Sequence, residues 1–337
     1  MSSNENLIFS YANQTIEICL NRNWSFLVRS PSSSYVTSSV VACVVNALFC
    51  VIGTILNSLV SSIFWKSKKM RKKIPYFMIM VLSSTDLAVV IIAQPLFLLH
   101  SLNEILGTAK CMYAVSYRVA MTSLSGISAV TLFVMNIERY LAITHPIFHR
   151  VTVTKGKCLL MSTLCWFVII SLVTVRFISK FVAHVFSLLA FIVCVTSLFT
   201  YLSIYYAGRK SLFKVRSENN AFDANATRNF MRFLRELKML RTYFLIVFLC
   251  FVCYLPAAVV FGLWDQWFDT ENTRHLAVEI PIWADTFVLM TSTLNCIVFF
   301  WANKQLNKEG WKLLKRFFGQ QKSWNAGTKH RKKRNCL

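Results

Sequence analysis

Asp86 lies about eleven residues into an apolar stretch that starts near residue 75, roughly 16 Å along a helix. A carboxylate at that depth in hydrocarbon costs roughly 2.5–3.5 kcal/mol on insertion scales, so it must face protein and find partners. Asn57, Ser128, Ser292 and Asn295 are oxygen-bearing candidates in other apolar stretches. A carboxylate among such oxygens suits a hard cation such as Na⁺, or takes up a proton. The plainer alternative is a protonated Asp that only joins helices. A second set of residues is Glu138-Arg139-Tyr140, Arg235-Glu236-Leu237-Lys238 and Cys253-Tyr254-Leu255-Pro256. Pro256 removes one backbone hydrogen bond and kinks a helix. Glu236 lies 20 residues earlier, about 30 Å along that helix, at the level of Arg139. A kinked helix with a breakable Arg139–Glu236 latch at its base is a two-state element. A third set is Arg118, Glu279 and Asp285, near the opposite ends of their stretches. Arg118 can grip a carboxylate or phosphate, and Asp285 can pair with Arg118 or with a cationic ligand. The competing reading is an interhelical salt bridge, or snorkelling to water. Phe97, Tyr117, Trp264, Trp267 and Trp283 either line an apolar pocket or form an interfacial aromatic belt.

Groups at three depths need long elements to hold them. The chain has 337 residues, 55% hydrophobic and only 15% charged, against about 25% charged in ordinary soluble domains. Its apolar residues come in blocks, and a span needs roughly 20 of them. Seven blocks qualify, at about 37–64, 75–101, 109–142, 157–176, 182–207, 239–264 and 277–302. The expected fold is an all-α membrane protein, a seven-transmembrane helix bundle followed by a short amphipathic eighth helix. Its expected parts are an extracellular N-terminal tail (1–36), the seven-helix domain (37–302), an amphipathic juxtamembrane helix (303–318) and a basic cytoplasmic tail (319–337).

The net charge of +23 invites a nucleic-acid reading, but the positions of the charges oppose it. Residues 66–73 carry 6 Lys and Arg, 139–157 carry 4, 208–241 carry 9 and 303–337 carry 11, leaving 7 of the 37 on the other side. Such an imbalance puts the loops from odd- to even-numbered spans and the C-terminal tail in the cytoplasm and the N-terminus outside. Residues 1–35 lack the pattern of a removable signal, so the first span is expected to act as anchor. Sequons at Asn13 and Asn23 fall in the outer tail, where glycans are added, while Asn225 is expected to stay bare. Trp311, Leu313, Leu314, Phe317 and Phe318 alternate with Lys312, Lys315 and Arg316, a pattern for a helix lying on inner-leaflet lipid. Eleven scattered Cys form no zinc pattern. No HExxH and no GxSxG occurs, which disfavours a membrane hydrolase. No internal repeat suggests a transporter.

Several motifs in order now carry a resemblance to the rhodopsin-like (class A) G-protein-coupled receptors, over roughly 37–318. Gly53-Thr54-Ile55-Leu56-Asn57 resembles the first-span signature, and Leu82-Ser83-Ser84-Thr85-Asp86-Leu87 the LAxxD motif. Glu138-Arg139-Tyr140 is similar to the DRY box, and Trp166 to the lone Trp of span four. Cys253-Tyr254-Leu255-Pro256 resembles CWxP, Tyr201 the fifth-span Tyr, and Thr293-Leu294-Asn295-Cys296-Ile297-Val298-Phe299 a degraded NPxxY. The short loop after span four and a Pro-free fifth span are similar to the melanocortin/lysophospholipid/cannabinoid/adenosine branch. The resemblance implies a sodium pocket of Asp86, Ser128, Ser292 and Asn295, with no cofactor beyond that allosteric ion. It implies an activation switch of Glu138, Arg139, Tyr140, Tyr201, Glu236, Tyr254 and Pro256, and a ligand pocket around Tyr117, Arg118, Met121, Trp264, Trp283 and Asp285. Implied partners are an extracellular ligand, a heterotrimeric G protein, a receptor kinase, arrestin and membrane lipids, at the plasma membrane. Glu236→Ala is expected to raise basal signalling. Met121 stands where aminergic receptors carry Asp, which disfavours a monoamine; span seven has no Lys, which disfavours retinal. Tyr254, Cys296 and Phe299 depart from the family residues and leave room for a non-signalling decoy. Cys111 lacks its usual partner, and Cys19 either bridges to it or both stay free.

Overall fold

The computed structural model describes residues 8–11, 14–19, 26–176, 251–260 and 274–315, with scattered helical residues within 185–206 and 248–263. The element order is β1 (Ile8–Tyr11), β2 (Gln14–Ile18), β3 (Phe26–Ser30), α1 (Ser33–Lys66), α2 (Lys68–Arg71), α3 (Ile74–Ala88), a π turn (Val89–Ala93), α4 (Gln94–Ile105), α5 (Cys111–Thr144), α6 (Pro146–Thr152) and α7 (Lys155–Arg176). After these come α8 (Phe251–Val260), α9 (Arg274–Ala302) and α10 (304–315). Among the described residues five helices are long and apolar enough to cross a membrane: α1, the continuous α3–α4 rod, α5, α7 and α9. Spans five and six are each described only in part.

The long apolar runs fold as helices because a bilayer offers backbone groups no water, and a helix pairs them all internally. Their outward faces stay apolar: Val40, Val44, Leu48, Val51 and Ile55 on α1, and Leu160, Leu164, Phe167 and Val168 on α7, are exposed. Inward faces carry the polar residues instead. α1 packs on α3, α4 and α9, while α5 packs on α3, α4 and α7. Pro95 sits in the first turn of α4. It has no N–H, and its ring crowds the carbonyl four residues back, so the helix widens into the π turn rather than breaking. Ser32 caps α1, its hydroxyl accepting from the Tyr35 N–H at 3.2 Å.

Gly53 allows α1 to reach its neighbours. A Cβ there would lie 2.3 Å from Thr293 Oγ1 and 2.8 Å from Val90 Cγ1. Small residues at such crossings permit close backbone approach in membranes. Gly53→Val is expected to destabilise the bundle by about 1–3 kcal/mol through overpacking, read as a lower melting midpoint of the detergent-purified protein.

The N-terminal segment departs from expectation. Rather than a polar tail up to residue 36, it contains an antiparallel sheet of order β1-β2-β3, and α1 already begins at Ser33. β2 pairs with β3 through Ile16↔Val28 and Glu17↔Leu27, with a register shift between Thr15 and Ile16. Adjacent strand residues point to opposite faces, yet Leu27 and Val28 are both fully buried. Val28 and Ile16 join the bundle's outer apolar cluster, whereas Leu27 packs with Cys19, Ala109 and Ala114 at the top of α5. A Cys19–Cys111 disulfide closes that second contact. Glu17 is buried in an ion pair with Arg29. These strands gain their stability from tertiary burial, which local composition does not display.

After α9, Asn303 caps α10. Its side-chain oxygen accepts from the N–H groups of Gln305 and Leu306, both at 3.1 Å. Leu306 is buried and Leu313 packs on the inner cluster, while Trp311 is exposed. α10 is therefore amphipathic, with residues 316–318 outside the described set.

Candidate functional site

One face of α5 strings the polar sites together. Arg118, Met121, Ser125, Ser128, Leu132, Met135 and Arg139 follow at three- or four-residue spacing, and all are buried. That spacing keeps them on a single stripe. From Arg118 to Arg139 the helix rises about 30 Å, the thickness of a hydrocarbon core.

At the outer end, Arg118 Nη1 donates to both Asp285 oxygens, at 2.9 and 3.2 Å. The Tyr117 hydroxyl donates to Asp285 Oδ2 at 2.8 Å. Arg118 and Asp285 are thus joined across α5 and α9, the salt-bridge alternative raised above. The His100 ring stacks on Tyr117 at 5.5 Å, and Phe97 meets Tyr117 edge-on at 5.4 Å. Met121 belongs to the apolar cluster beneath this pair. Trp283 is half-buried, and two residues apart on a helix it does not share Asp285's direction. Glu279 is half-buried one turn and a half earlier. Trp264 and Trp267 lie outside the described residues.

In the middle, Asp86 is fully buried. Ser128 Oγ donates to Asp86 Oδ1 at 2.5 Å and Asn295 Nδ2 to Oδ2 at 3.1 Å, and Ser292 is buried on the same helix as Asn295. Of the four residues expected around it, Ser128 and Asn295 meet the carboxyl directly, and Ser292 lies one turn from Asn295 on α9. Two donors leave a carboxylate with spare lone pairs. The carboxylate and the nearby serine hydroxyls supply the oxygens that a hard cation takes, while Asn295 presents its amide nitrogen to the carboxylate. Asn57 does not reach Asp86; its amide nitrogen donates to the carbonyls of Gly53 (2.9 Å) and Ser292 (3.2 Å). Its oxygen accepts from Cys296 Sγ at 2.9 Å. Cys296, in the place of the family Pro, thus ties α9 to α1 with a thiol. Tyr254, the residue in the place of the Trp switch, donates its hydroxyl to the Ser125 carbonyl at 3.2 Å. It packs on both the outer and the inner apolar clusters, with Pro256 in the same helix α8. Trp166 Nε1 donates to Thr131 Oγ1 at 2.8 Å, fixing α7 to α5.

At the inner end, Arg139 Nε lies 2.6 Å from Glu138 Oε2, both side chains being buried. His149 on α6 reaches Glu138 Oε1 at 2.9 Å. Tyr140 meets His145 edge-on at 6.4 Å. The Tyr76 hydroxyl donates to Gln305 Oε1 at 3.2 Å, linking the base of α3 to α10. Ile147, Phe148 and Val151 leave an exposed apolar face on α6 beside this triad. Glu236 and Tyr201 lie outside the described residues, as do Asn13 and Asn23.

Sequence reasoning missed three participants. His149 is one of six scattered His and carries no motif of its own. Cys296 read only as a lost Pro. Glu104 was passed over at the end of its apolar block, although it is buried and accepts from the Val28 N–H (2.8 Å) and the Tyr35 hydroxyl (2.6 Å). A carboxylate so close to an apolar run was the available signal.

A family model described as "7 transmembrane receptor (rhodopsin family)" matches residues 56–182. The chain is similar to "Octopamine receptor beta-2R" of Chilo suppressalis, 24% identical over 88% of this chain and 84% of that protein. It also resembles "QRFP-like peptide receptor" of Branchiostoma floridae, 31% identical over 35% of this chain and 30% of that protein. "Galanin receptor 2a" of Danio rerio is 27% identical over 40% of this chain and 37% of its own length. The last two matches therefore span only about a third of the relatives' lengths. With its long apolar rods and this match over residues 56–182, the chain resembles the rhodopsin-like (class A) seven-transmembrane receptors and has the build of a multi-pass membrane protein.

Proposed function

We propose that the protein sits in the plasma membrane with its N-terminus outside, binds an extracellular ligand and activates a heterotrimeric G protein. The observation that carries this reading is the buried Arg139–Glu138 pair at the foot of α5, on the same helical stripe as the Arg118–Asp285 pair at its head. A ligand that prefers one arrangement of the outer pair and the helices it joins shifts the population of the whole bundle. Release of Arg139 from Glu138, and from Glu236, frees a guanidinium for the G-protein α-subunit as the sixth helix swings outward. The exposed Ile147, Phe148 and Val151 on α6 supply an adjoining apolar contact. The basic inner loops and tail favour anionic lipid, kinase and arrestin. The expected seven-helix domain of 37–302, with its outer and inner tails, remains the proposed organisation.

The ligand is proposed not to be a monoamine, because buried Met121 offers no carboxylate. Octopamine is named only for the relative. The reading is tested in cells reporting several G-protein classes, screened with amines, nucleosides, lipids and peptides. A hit that vanishes in Arg139→Ala supports it, and ligand-driven ion or solute flux without G-protein activation points instead to a transporter.

Na⁺ is proposed to bind Asp86, Ser128, Ser292 and Asn295 and to favour the inactive bundle. Binding to the folded state alone raises apparent stability by mass action. Sodium in place of choline is expected to raise the purified protein's melting midpoint by a few degrees, and Asp86→Asn to abolish that rise. Equal shifts in both proteins would exclude this site.

A further inference from the structure

The β2–β3 sheet is more than an appendage, because its side chains complete the interior of the outer bundle. Ile16 and Val28 are wholly buried in one apolar cluster with Phe97, Tyr117, Met121 and Ile282. Phe26 packs against the same cluster, and so does Tyr254 of α8. Those bundle residues come from the second, third, sixth and seventh spans, and one of them, Tyr117, touches both Arg118 and Asp285. The strands thus pack on α4 and α5 and bury Ile16 and Val28 in the outer apolar cluster that contains Tyr117.

Two independent attachments hold the strands down. Glu104, near the end of α4, accepts the backbone N–H of Val28 on one oxygen and the Tyr35 hydroxyl on the other. One buried carboxylate thus joins β3, α1 and α4. On the Leu27 face, the Cys19–Cys111 disulfide and the packing of Leu27 with Ala109 and Ala114 fix the sheet to the head of α5. One attachment takes a backbone N–H at the free edge of β3 and the other holds its Leu27 face, so neither alone determines its position. His100 lies 3.7 Å from Glu104 and stacks on Tyr117, the partner of Asp285. A movement of the sheet therefore bears directly on the groups around Arg118.

We propose that the N-terminal sheet is a built-in plug of the ligand vestibule, held by Glu104 and by the Cys19–Cys111 bridge, and that Arg118–Asp285 becomes reachable from outside only when the sheet lifts. This rests on the reading of the outer bundle as the ligand site, but its test needs no ligand and no signalling. Opening is a rare excursion in the parent, and the Glu104 contacts set how rare. Hydrogen bonds to a charged group are strong ones, so weakening this pair raises the open population, and the labelling rate with it, by about tenfold.

The probe is a charged, membrane-impermeant methanethiosulfonate applied to intact cells carrying full-length receptor with Met121→Cys. Modification at position 121 is followed by mass spectrometry of the isolated protein. Leu106→Cys, at an exposed outer position, gives the unhindered rate. The plug predicts that position 121 reacts at least about tenfold slower than 106, and that Glu104→Gln and the milder Tyr35→Phe each speed it. Adding Cys19→Ser with Cys111→Ser should speed it further. Tyr35→Phe removes a single oxygen and keeps the packing, so it serves if Glu104→Gln fails to reach the surface. Reaction of position 121 at the rate of 106 in the otherwise unchanged receptor overturns the plug with no sheet variant needed. Slow reaction that none of the surface-expressed variants accelerates overturns it as well. Either result leaves the G-protein reading intact, whereas loss of signalling with an intact labelling pattern counts against that reading and leaves the plug standing.

Discussion

Asp285→Ala lowers the stability of the receptor by about 3–5 kcal/mol, and Arg118→Ala does the same, because each leaves one buried charge without its partner. Arg118 and Asp285 are held in the bundle by two hydrogen bonds from one guanidinium nitrogen, with a third from Tyr117. Removing one member strands the other where water cannot reach it. The double substitution Arg118→Leu with Asp285→Leu removes both charges together and is expected to recover most of the loss, since apolar replacements of buried pairs are often near neutral. Melting midpoints in detergent and surface expression in cells read both effects. A single Asp285→Ala protein that melts with the parent would show that the pair contributes nothing to the folded bundle. Once a ligand is found, the double variant separates binding from folding: it should be present at the surface and deaf to any ligand that contacts the pair.

Arg139→Ala is expected to abolish the proposed G-protein activation while leaving the receptor at the surface. Glu138→Gln has the opposite sign. It removes the charge that holds Arg139 at 2.6 Å and that His149 reaches at 2.9 Å. Loss of this charge, which pairs with Arg139 and is hydrogen-bonded to His149, is worth about 1.5–3 kcal/mol, a shift of roughly 10- to 100-fold between the resting and active populations if the whole amount falls on one of them. Basal nucleotide exchange on added G protein is expected to rise by that order in Glu138→Gln. His149→Gln, which loses only the outer contact, should raise it less. Unchanged basal exchange in Glu138→Gln would remove this pair from the resting latch.

Much of this arrangement was legible in the residues. Length and apolarity marked the blocks that became α1, α3–α4, α5, α7 and α9, because a bilayer imposes one span length on any helix. Asp86 drew attention through its cost, and hydroxyls and an amide answer it at the expected positions. Arg118 and Asp285 were visible as charges near apolar stretches, but whether they met each other or a ligand depended on the relative rotation of α5 and α9. The sheet was not legible. Ile16, Leu27 and Val28 sit among polar neighbours, and their burial comes from helices far away in the chain. Nor was the π turn, since a Pro near the middle of a span kinks, widens or interrupts it according to how neighbours pack. The thiol of Cys296 read as the loss of a Pro, although in the bundle it donates to Asn57. Glu236, Tyr201 and Trp264 lie outside the described residues, so the second half of the proposed latch rests on sequence.

The central claim, signalling to a G protein through Arg139, is tested most directly by nucleotide exchange on purified G proteins of several classes. The receptor, reconstituted in lipid nanodiscs, is challenged with amine, nucleoside, lipid and peptide libraries. At least one compound should accelerate exchange with the parent receptor and have no effect with Arg139→Ala of equal thermal stability. Acceleration that survives in Arg139→Ala, or none from any library on any G-protein class, would contradict it.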